Sequence, residues 1–289
     1  MTKDDVARSL SIIMPAKNEA GAIEKTVSGA RIAFPDAEII VVDDGSTDDT
    51  GALAKSAGAI VVRHPISMGN GAAIKAGARA SSGEILAFMD ADGQHGGDEL
   101  SLLLERLDAG YDMAIGARDS GSHANFGRLF ANGFYNELAS LLCGHRIPDL
   151  TSGFRVVRAK LFKQFLHLLP NGFSYPTTIT MAFLRSGYPI DFVTIKAAQR
   201  VGKSHIRPIR DGLRFLIIIF KVVTLYSPLK IFVPTSAAFF ATGLGYYLYT
   251  YLTLGRFTNM SMLLFSASVI VFLIGLISEQ ITALTFSRS

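Results

Sequence analysis

The first two hundred residues alternate short apolar runs with longer stretches that carry helical spacing or helix-start signals. The apolar runs have the length of strands and cover residues 10–14, 37–42, 60–62, 85–89, 111–115 and 190–195. The helical stretches cover residues 19–33, 47–58, 69–80, 126–142 and 171–184. Strands that alternate with helices of this length are joined by right-handed crossovers, which predicts an α/β fold with a mainly parallel sheet.

Polar side chains at the starts of two of these helices have the chemistry of caps. Asn18 precedes the first helix, and Ser46 or Thr47 precedes the second. Side-chain oxygens at such positions accept hydrogen bonds from backbone N–H groups that the helix leaves free. We therefore expect Asn18 to cap the first helix and one of the two hydroxyl residues to cap the second.

The apolar pattern changes after residue 230. Residues 231–255 contain no charged side chain, and neither do residues 257–278. Each run exceeds the roughly 20 residues that an α-helix needs to cross a bilayer. Because only Arg256 separates the runs, we expect a transmembrane hairpin with spans of about 231–255 and 257–279. A buried helical hairpin in a soluble protein is the alternative.

A strongly basic segment precedes the first span. Seven basic residues and one acid lie between residues 200 and 230, which gives a net charge of +6. Four of the cations follow helical spacing: Arg207, Arg210, Arg214 and Lys221. This pattern predicts an amphipathic helix in the membrane interface, with a solvated basic helix of a soluble protein as the alternative.

These patterns divide the chain into three predicted segments. Residues 1–199 form a globular α/β domain, residues 200–228 the basic interface segment, and residues 229–289 the transmembrane hairpin. The cations concentrate before the first span rather than in the link between the spans. By the positive-inside rule we expect an integral membrane protein whose globular domain is cytosolic.

Composition narrows the class of protein. The chain has 289 residues, 49% of them hydrophobic and 18% charged, with a net charge of +4. Cys143 is the single cysteine, so an intrachain disulfide is excluded, and the N-terminus lacks the apolar core of a signal peptide. A basic excess also suits nucleic acid, but here it adjoins a membrane span, so we expect no nucleic-acid partner.

Candidate metal ligands follow the strand at residues 85–89. Asp90 and Asp92 end this apolar run, and Gln94 adds a neutral oxygen. If the strand continued through them, both carboxylates would point to the same side. Oxygen ligands suit Mg²⁺ or Mn²⁺, which in turn would hold a diphosphate. A polar turn without a metal is the alternative.

Other polar segments also follow strands directly. In parallel sheets, ligands gather beyond the carboxyl ends of the strands, so residues 15–19, 43–44 and 90–92 are expected to meet. Asp43 accepts hydrogen bonds from a base or ribose in one interpretation; in the other, Asp43 or Asp44 only caps a helix. The glycine turn at 69–71 with Lys75 either approaches an anion at a helix N-terminus or is only a tight turn beside a solvated lysine.

Four motifs resemble the family 2 glycosyltransferases, and most closely the branch of dolichyl- or polyprenyl-phosphate mannose and glucose synthases. In order along the chain they are VVDDGSTD at 41–48, DADGQH at 90–95, GAR at 116–118 and DLTSGFR at 149–155. The resemblance runs from about residue 10 to about residue 214. It implies a GT-A fold, a nucleotide-sugar donor, a divalent metal cofactor and inversion at the anomeric carbon.

The resemblance also implies roles for individual residues. Those implied to bind the nucleotide sugar are Pro15, Lys17, Glu19, Val41, Asp43, Asp90, Ala91, Asp92, Gln94 and Arg118. Asp90, Asp92 and Gln94 are implied to hold Mg²⁺ or Mn²⁺. Those implied to bind the phosphate of the lipid acceptor are Arg128, Asn132, Arg200, Lys203, Ser204 and His205. Asp92, Arg118 and Arg128 are the residues expected to matter most for catalysis.

The chain departs from the family pattern at three of these positions. Lys17 stands where relatives often carry an aromatic residue that can lie against the base. Asn132 replaces a serine, and His205 replaces the basic residue that ends a motif in which Lys203 also lies. Arg155, at the end of the DLTSGFR motif, either lines the acceptor mouth or is the partner of a structural ion pair.

The function implied is transfer of a hexose from GDP-mannose, UDP-glucose or a similar donor to a polyprenyl or dolichyl monophosphate. Two alternatives stay open: transfer to another membrane lipid, and a membrane-anchored scaffold that binds nucleotide sugar without turnover. A processive polysaccharide synthase is disfavoured because its motif contains tryptophan, and this chain has none. The hairpin also leaves contact between copies of the chain, as in a homo-oligomer, open.

Overall fold

The structure is a computed structural model that describes residues 9–93, 96–118, 126–172, 174–195, 217, 219–225 and 227–286; of residues 126–132, 134, 285 and 286 only the backbone is described. The chain divides into two compact units, residues 1–218 and residues 219–289. Each unit is described by itself below.

The first unit is built on a seven-stranded sheet with the order β3-β2-β1-β4-β6-β5-β7. Its strands are β1 (Leu10–Ala16), β2 (Glu38–Asp43), β3 (Ile60–Arg63), β4 (Ile85–Phe88), β5 (Met113–Arg118), β6 (Arg155–Arg158) and β7 (Ile190–Ile195). All pairings are parallel except those of β6, which runs antiparallel to both β4 and β5. The predicted α/β fold with a mainly parallel sheet is therefore confirmed.

Helices cover both faces of the sheet. They are α1 (Ile23–Ala33), α2 (Thr50–Ser56), α3 (Asn70–Ala80), α4 (Gly97–Asp108), α5 (Phe126–Cys143), α6 (Ala159–Gln164) and α7 (Tyr175–Arg185). The central strands β1, β2 and β4 are buried on both faces, as their unbroken apolar runs require. On one face α3 approaches β1 so closely that a Cβ on Gly77 would lie 2.4 Å from Ile13.

Three elements have no counterpart among the sequence predictions: α4, β6 and α6. β6 matters most for the site because it is antiparallel to its neighbours. Its first residue, Arg155, therefore lies at the edge where β4 and β5 end. The segment that leads into β6 is thereby delivered to the same edge as the loops that follow the parallel strands.

The second unit contains two long apolar helices, α8 (Leu229–Leu254) and α9 (Asn259–Phe286). Both are long and apolar enough to cross a membrane. The predicted helical hairpin is thus present. Helix α8 begins two residues before its predicted start, and helix α9 begins two residues after its predicted start. Most of the predicted interface segment, including Arg207, Arg210 and Arg214, lies outside the described residues.

Polar groups tie the two helices of the hairpin together. The Ser236 hydroxyl donates to the Ser268 carbonyl oxygen at 2.9 Å, and the Ser268 hydroxyl donates to the Ser236 carbonyl oxygen at 3.0 Å. Near one end, the backbone N–H of Leu229 donates to the Glu279 carboxylate at 3.4 Å. Small hydroxyl residues that bond across helices are a usual means of association in apolar surroundings.

Candidate active site

The tips of three neighbouring strands meet at the carboxyl edge of the sheet. Ala16, the last residue of β1, pairs in register with Asp43, the last residue of β2. The N–H of Asp44 donates to the Ala16 carbonyl oxygen at 2.9 Å, and the N–H of Met89 beyond β4 donates to that of Ile13 at 3.2 Å. The loops expected to converge are therefore neighbours in space.

The loop after β1 is fastened to the loop after β2, and Asn18 is central to this contact. Asn18 has a φ of +55°, uncommon for a residue other than glycine, and its Oδ1 accepts the N–H of Thr47 at 2.9 Å. Its own N–H donates to the Ser46 hydroxyl at 3.0 Å. The prediction that Asn18 caps the first helix is wrong. Helix α1 begins at Ile23, four residues after its predicted start, and Asn18 instead bonds the loop after β2.

The predicted cap of the second helix is also wrong. Helix α2 begins at Thr50, and neither Ser46 nor Thr47 bonds its free N–H groups. Instead, Asp48 Oδ1 accepts the Thr50 N–H at 3.1 Å. The hydroxyls of this loop are taken up by the contact with the β1 loop, which fixes the shape of the strand tips.

Asp43 is 1% exposed at the tip of β2. Its Oδ1 accepts the N–H of Ser46 at 2.8 Å. Its Oδ2 is a buried acceptor without a hydrogen bond, although Arg63 Nε lies 3.5 Å away. A buried carboxylate oxygen without a donor carries a desolvation cost, and this oxygen is covered by helix α2, where a Cβ on Gly51 would lie 2.8 Å from it.

Asp44 organises the loop after β3, a role that the sequence did not reveal. Its carboxylate accepts the Ser67 hydroxyl and the N–H groups of Met68 and Gly69, each at 2.8 Å, and contacts His64 Nδ1 at 2.7 Å. Burial penalises the charge, but these hydrogen bonds outweigh it and lower the pKa of Asp44. The ionised carboxylate of Asp44 therefore binds four groups of this loop and stabilises its conformation.

Asp90 and Asp92 lie in a turn rather than at the end of a strand. β4 ends at Phe88, and the turn closes at Gly93 with a φ of +74°. The alternation of side chains along a strand therefore does not set the direction of these two carboxylates, although the sequence pattern had suggested that it would. Asp92 is 7% exposed. The Thr26 hydroxyl, which donates to the Ala22 carbonyl oxygen at 2.9 Å, also lies 3.3 Å from the Ala91 carbonyl oxygen and so shares its hydrogen with the turn.

Two carboxylates in one tight turn fit a hard divalent cation by the chemistry of their oxygens. Among the described residues, no group of three or more His, Cys, Asp or Glu side chains is placed to hold a metal ion. The third predicted ligand, Gln94, lies outside the described residues. A cation at this turn would therefore rely on Asp90 and Asp92 together with Gln94 or oxygens of the ligand.

Arg118, the last residue of β5, forms an ion pair with Asp149. Arg118 Nε donates to Asp149 Oδ2 at 2.9 Å, and Nη2 donates to Oδ1 at 3.2 Å and to the Thr151 hydroxyl at 2.8 Å. Burial opposes both charges, but the pairing outweighs it, raising the pKa of Arg118 and lowering that of Asp149. The negative charge of Asp90 adds to the rise in the pKa of Arg118.

The segment before β6 brings further groups to Asp90. A Cβ on Gly153 would lie 3.8 Å from Asp90 Oδ1 and 3.5 Å from the Tyr175 hydroxyl. Burial raises the pKa of Tyr175; nearby Arg155 opposes this shift and Asp90 adds to it. Tyr175 therefore stays neutral, with a hydroxyl beside the carboxylate.

Arg155 plays a structural part that neither sequence expectation described. It is fully buried and donates to the carbonyl oxygens of Ser152 and Pro176 and to the Thr180 hydroxyl. Because these acceptors are neutral and the side chain is inaccessible, it is neither an acceptor-facing cation nor the partner of a carboxylate within the described contacts. It fixes the segment that carries Gly153 against the start of α7.

The glycine turn before α3 packs against residues 169–172. A Cβ on Gly71 would lie 2.1 Å from the Pro170 carbonyl oxygen, and the Ala72 N–H donates to the Asn171 carbonyl oxygen at 3.1 Å. Lys75 Nζ donates to Leu169 O at 3.0 Å and to Asn171 Oδ1 at 2.6 Å. Of the two alternatives the structure favours the tight turn, and Lys75 bonds to the neighbouring segment instead of standing on a solvated face.

The remaining predicted site residues are placed as follows. Pro15 lies in β1 beside Val42; Val41 is fully buried in the core, and Ala91 is 2% exposed. The backbone of Glu19 donates to the Thr50 hydroxyl at 2.9 Å. The backbones of Arg128 and Asn132 lie one turn apart in α5, but their side chains are not described, and Arg200, Lys203, Ser204 and His205 lie outside the described residues.

Comparison with known proteins adds a family to this geometry. A family model described as glycosyl transferase family 2 matches residues 11–166, and one described as the GtrB C-terminal hairpin matches residues 227–284. Polyprenol monophosphomannose synthase of Mycolicibacterium smegmatis is 34% identical over 204 residues, covering 65% of this chain and 77% of the relative. Dolichyl-phosphate hexose transferase of Haloferax volcanii is 30% identical over 206 residues, covering 70% of this chain and 89% of the relative.

A solved structure shares the fold. Glucosyl-3-phosphoglycerate synthase from Mycobacterium tuberculosis, in complex with Mn²⁺, UDP and glucosyl-3-phosphoglycerate, superposes with a TM-score of 0.61 at 22% identity. The superposition covers 75% of this chain and 80% of that one. At this identity the likeness establishes the fold alone, and it confirms the predicted GT-A architecture.

Proposed function

Because the chain belongs to glycosyl transferase family 2, we propose that it transfers a hexose from a nucleotide sugar to a polyprenyl monophosphate in the membrane. One observation carries the proposal: a glycosyltransferase domain and a hairpin long enough to span a bilayer occur in the same chain. A water-soluble acceptor gives no reason for such a hairpin. The polyprenyl- and dolichyl-phosphate substrates in the names of the relatives support a lipid phosphate acceptor.

The donor lies across the strand tips in this proposal. The nucleoside is surrounded by residues at the tips of β1 and β2 and in the loop after β1: Pro15, Lys17, Glu19 and Asp43. Val41 and Ala91 line the site with their backbone atoms. The pairing of Asp43 with Ala16 in register supports this placement, because it puts the tip of β2 beside the loop that follows β1. GDP-mannose and UDP-glucose are the donor types that the proposal favours.

Mg²⁺ or Mn²⁺ would be held by Asp90, Asp92 and Gln94, where it would offset the charge of the donor diphosphate. Arg118 interacts electrostatically with Asp90 and would add a second, permanent positive charge to the site. Asp149 keeps the guanidinium oriented, since both carboxylate oxygens accept from it. The protein thereby opposes the charge that grows on the leaving nucleoside diphosphate with a group that needs no rearrangement.

The acceptor needs orientation more than activation. A phosphate monoester carries about −1.5 to −2 charges at pH 7, so it is nucleophilic without a strong general base. Its oxygen attacks the anomeric carbon from the face opposite the diphosphate, the C–O bond to the diphosphate breaks, and the configuration inverts. Arginine forks suit phosphate oxygens. The proposed phosphate ligands are Arg128, Asn132, Arg200, Lys203, Ser204 and His205.

The membrane topology follows from charge. The basic segment before α8 lies on the cytosolic face, with the catalytic domain on the same side and α8 and α9 as the two spans. This orientation gives the domain access to cytosolic nucleotide sugars and to the phosphate end of the lipid. A protease added to intact and to permeabilised vesicles tests it: cleavage within residues 9–195 is expected from the cytosolic side only.

A donor and acceptor screen tests the reaction. Purified chain is incubated with GDP-mannose, UDP-glucose, UDP-galactose or UDP-N-acetylhexosamines, with undecaprenyl or dolichyl phosphate and Mg²⁺ or Mn²⁺. The expected result is one labelled polyprenyl-phosphate sugar, whose formation stops with EDTA. Transfer only to a lipid hydroxyl, such as that of diacylglycerol, would overturn the acceptor, and nucleotide-sugar binding without turnover would indicate a scaffold.

A further inference from the structure

The loop after β3, residues 64–69, exposes two large apolar side chains. Ile66 is 70% exposed and Met68 is 48% exposed. A single exposed apolar side chain is common on protein surfaces and needs no explanation. These two lie on either side of Ser67, and among the described residues of the first unit no other two exposed large apolar side chains are so close along the chain. The pair therefore indicates a contact with apolar surroundings.

The backbone of this loop is held firmly from its inner side. Asp44 accepts the N–H groups of Met68 and Gly69 and the hydroxyl of Ser67, each at 2.8 Å. The loop also packs so closely on the loop after β2 that a Cβ on Gly45 would lie 2.7 Å from the Ser67 nitrogen. Because the backbone is already ordered, its apolar side chains can enter a new environment without the entropy cost of fixing the loop.

The loop lies at the same edge of the sheet as the candidate active site. Arg63, the last residue of β3, pairs in register with Asp43 at the tip of β2. The opposite edge also has exposed apolar side chains, but they are isolated along the chain. Ile60, the first residue of β3, is 52% exposed there, and Ile32 in the last turn of α1 is 82% exposed. Strand β3 thus has an exposed isoleucine near each edge.

The proposed acceptor determines which edge approaches the membrane. Its phosphate is joined to an apolar chain that stays in the bilayer, so the phosphate remains in the interfacial region. Its attacking oxygen has to reach the anomeric carbon at the strand tips. The carboxyl edge therefore comes close to lipid during the reaction, and the loop after β3 is part of that edge.

The charges beside the loop suit a lipid interface. Lys17 Nζ donates to the Ser67 hydroxyl at 2.9 Å, and the side chain of Arg63 is 66% exposed. Cations next to apolar side chains favour the anionic cytosolic leaflet of a membrane. Asp48, in the loop after β2, accepts the N–H groups of Thr50 and Ala20, so its carboxylate is turned toward these donors.

We propose that the loop after β3 inserts Ile66 and Met68 into the membrane interface and thereby orients the catalytic edge toward the lipid acceptor. The inference rests on the proposed function, because the lipid acceptor is what brings this edge to the membrane. The hairpin keeps the chain at the bilayer, and the loop sets which edge of the domain faces it. Apolar side chains at an interface reach about 5–10 Å into the boundary between headgroups and acyl chains.

A depth measurement at two positions of β3 and its loop tests the inference. The buried Cys143 is replaced in a Cys143→Ala background, and Ile66→Cys or Ile60→Cys is labelled with a fluorescent maleimide. The full chain is placed in nanodiscs of phosphatidylcholine and phosphatidylglycerol in which a rising fraction of the lipids has brominated acyl chains. We expect the fluorescence at position 66 to fall as this fraction rises and the fluorescence at position 60 to stay constant.

A kinetic measurement shows whether the contact serves the reaction. In the double variant Ile66→Ser with Met68→Ser, we expect the KM for a long-chain polyprenyl phosphate in nanodiscs to rise severalfold, because the apolar burial is lost. The affinity for the donor nucleotide and the KM for a short, water-soluble prenyl phosphate should stay the same. Ile60→Ser is the matched control and should change none of the three.

The outcomes separate this inference from the proposed function. Sugar transfer to polyprenyl phosphate without lipid quenching at position 66 would overturn the inference and leave the function standing. A label at position 66 that is shielded from water but not quenched by brominated lipid would show contact with protein, such as a second copy, and would also overturn it. Absence of transfer with every donor would overturn the proposed function and, with it, the reason for the inference.

Discussion

Asp149 holds Arg118 along the side of its guanidinium, with Nε on one carboxylate oxygen at 2.9 Å and Nη2 on the other at 3.2 Å. The N–H and the hydroxyl of Thr151 complete the coordination of Asp149. Two parallel hydrogen bonds fix both the position and the plane of the guanidinium. In the proposed reaction Asp149 is therefore a positioning residue, which would act through Arg118.

The Asp149→Asn variant tests this role. An amide offers one acceptor oxygen where the carboxylate offers two, so Arg118 would lose its fixed plane. Because misplacement of a catalytic group by about 1 Å costs about 100-fold in rate, we expect kcat to fall 10- to 100-fold with a smaller change in the KM for the donor. Steady-state kinetics with and without Arg118→Met provide the measurement. In the Arg118→Met background, Asp149→Asn should have little further effect; additive losses would contradict the positioning role.

Asp92 is expected to be indispensable for metal-dependent transfer. Replacing Asp92 by alanine removes a nearly buried carboxylate from the candidate metal turn, and a loss of about 100- to 1,000-fold in kcat/KM is expected. Turnover is measured over a titration with Mg²⁺ and Mn²⁺. Asp98→Ala, which removes an exposed acid from the first turn of α4, serves as the matched control. Unchanged turnover of folded Asp92→Ala protein would remove the metal assignment.

Two glycine-to-alanine variants in helices should shift stability in opposite directions. In Gly71→Ala the new Cβ would lie 2.1 Å from the Pro170 carbonyl oxygen, so the backbone must move, at a cost of about 1–3 kcal/mol. Gly29 in α1 has open space around it, so Gly29→Ala should gain about 0.5–1 kcal/mol from helix propensity. Thermal unfolding followed by circular dichroism measures both. Equal shifts would mean that residues 170–172 do not press on α3.

The hydrogen bonds of Asp44 make folding stability depend on pH in the acid range. The folded protein lowers the pKa of this group, so its contribution is present above the unfolded value of about 4 and is lost as pH falls through the folded pKa. Asp44→Asn should cost about 1–3 kcal/mol at pH 7, because buried donors lose an acceptor. The difference from the unmodified chain should shrink below about pH 4. Asp36→Asn, at an exposed position, should leave the pH dependence unchanged.

Each of the paired serines should stabilise the hairpin. Ser236→Ala and Ser268→Ala each remove one hydroxyl-to-carbonyl hydrogen bond between the helices and leave the other in place, and each should weaken the association by about 0.6 kcal/mol, with about 1.7 as an upper bound. The measurement is the SDS fraction at which a pair of distance probes on α8 and α9 separates. Ser266→Ala, at an exposed position on α9, is the control. If neither variant differed from this control, the two bonds would not hold the helices together.

The long apolar runs made the α/β sheet and the hairpin predictable. The period and length of the apolar runs were enough to predict the central strands and the two apolar helices, because an element that is buried on both faces or contacts lipid has few polar residues. Helix α4 was also within reach, since Leu100, Leu103 and Leu107 have helical spacing and acidic residues occupy its first turn. β6 was not, because four residues give no period and their antiparallel pairing depends on partners far along the chain.

The location of the candidate site was predictable from the sequence, but the contacts of its individual residues were not. The convergence of the strand tips followed from the parallel sheet, whereas the roles of single polar residues depended on what lies opposite them. Asn18, Asp44 and Lys75 each had a local interpretation, as a cap or as a surface charge. In the structure each reaches a loop that is 25 or more residues away, which local sequence patterns cannot reveal.

The reversed direction of β6 has a consequence for protein engineering. Residues 144–154 run between α5, which ends at Cys143, and β6, which begins at Arg155, while the loops that surround the nucleoside come from β1, β2 and β4. This segment can be exchanged for that of a relative as a single cassette that leaves the sequence of those loops unchanged, although it carries Asp149, which holds Arg118, and Gly153, which lies near Asp90. Chimeras of this kind would change the surroundings of Arg118 and Asp90 while keeping every residue of the loops that surround the nucleoside.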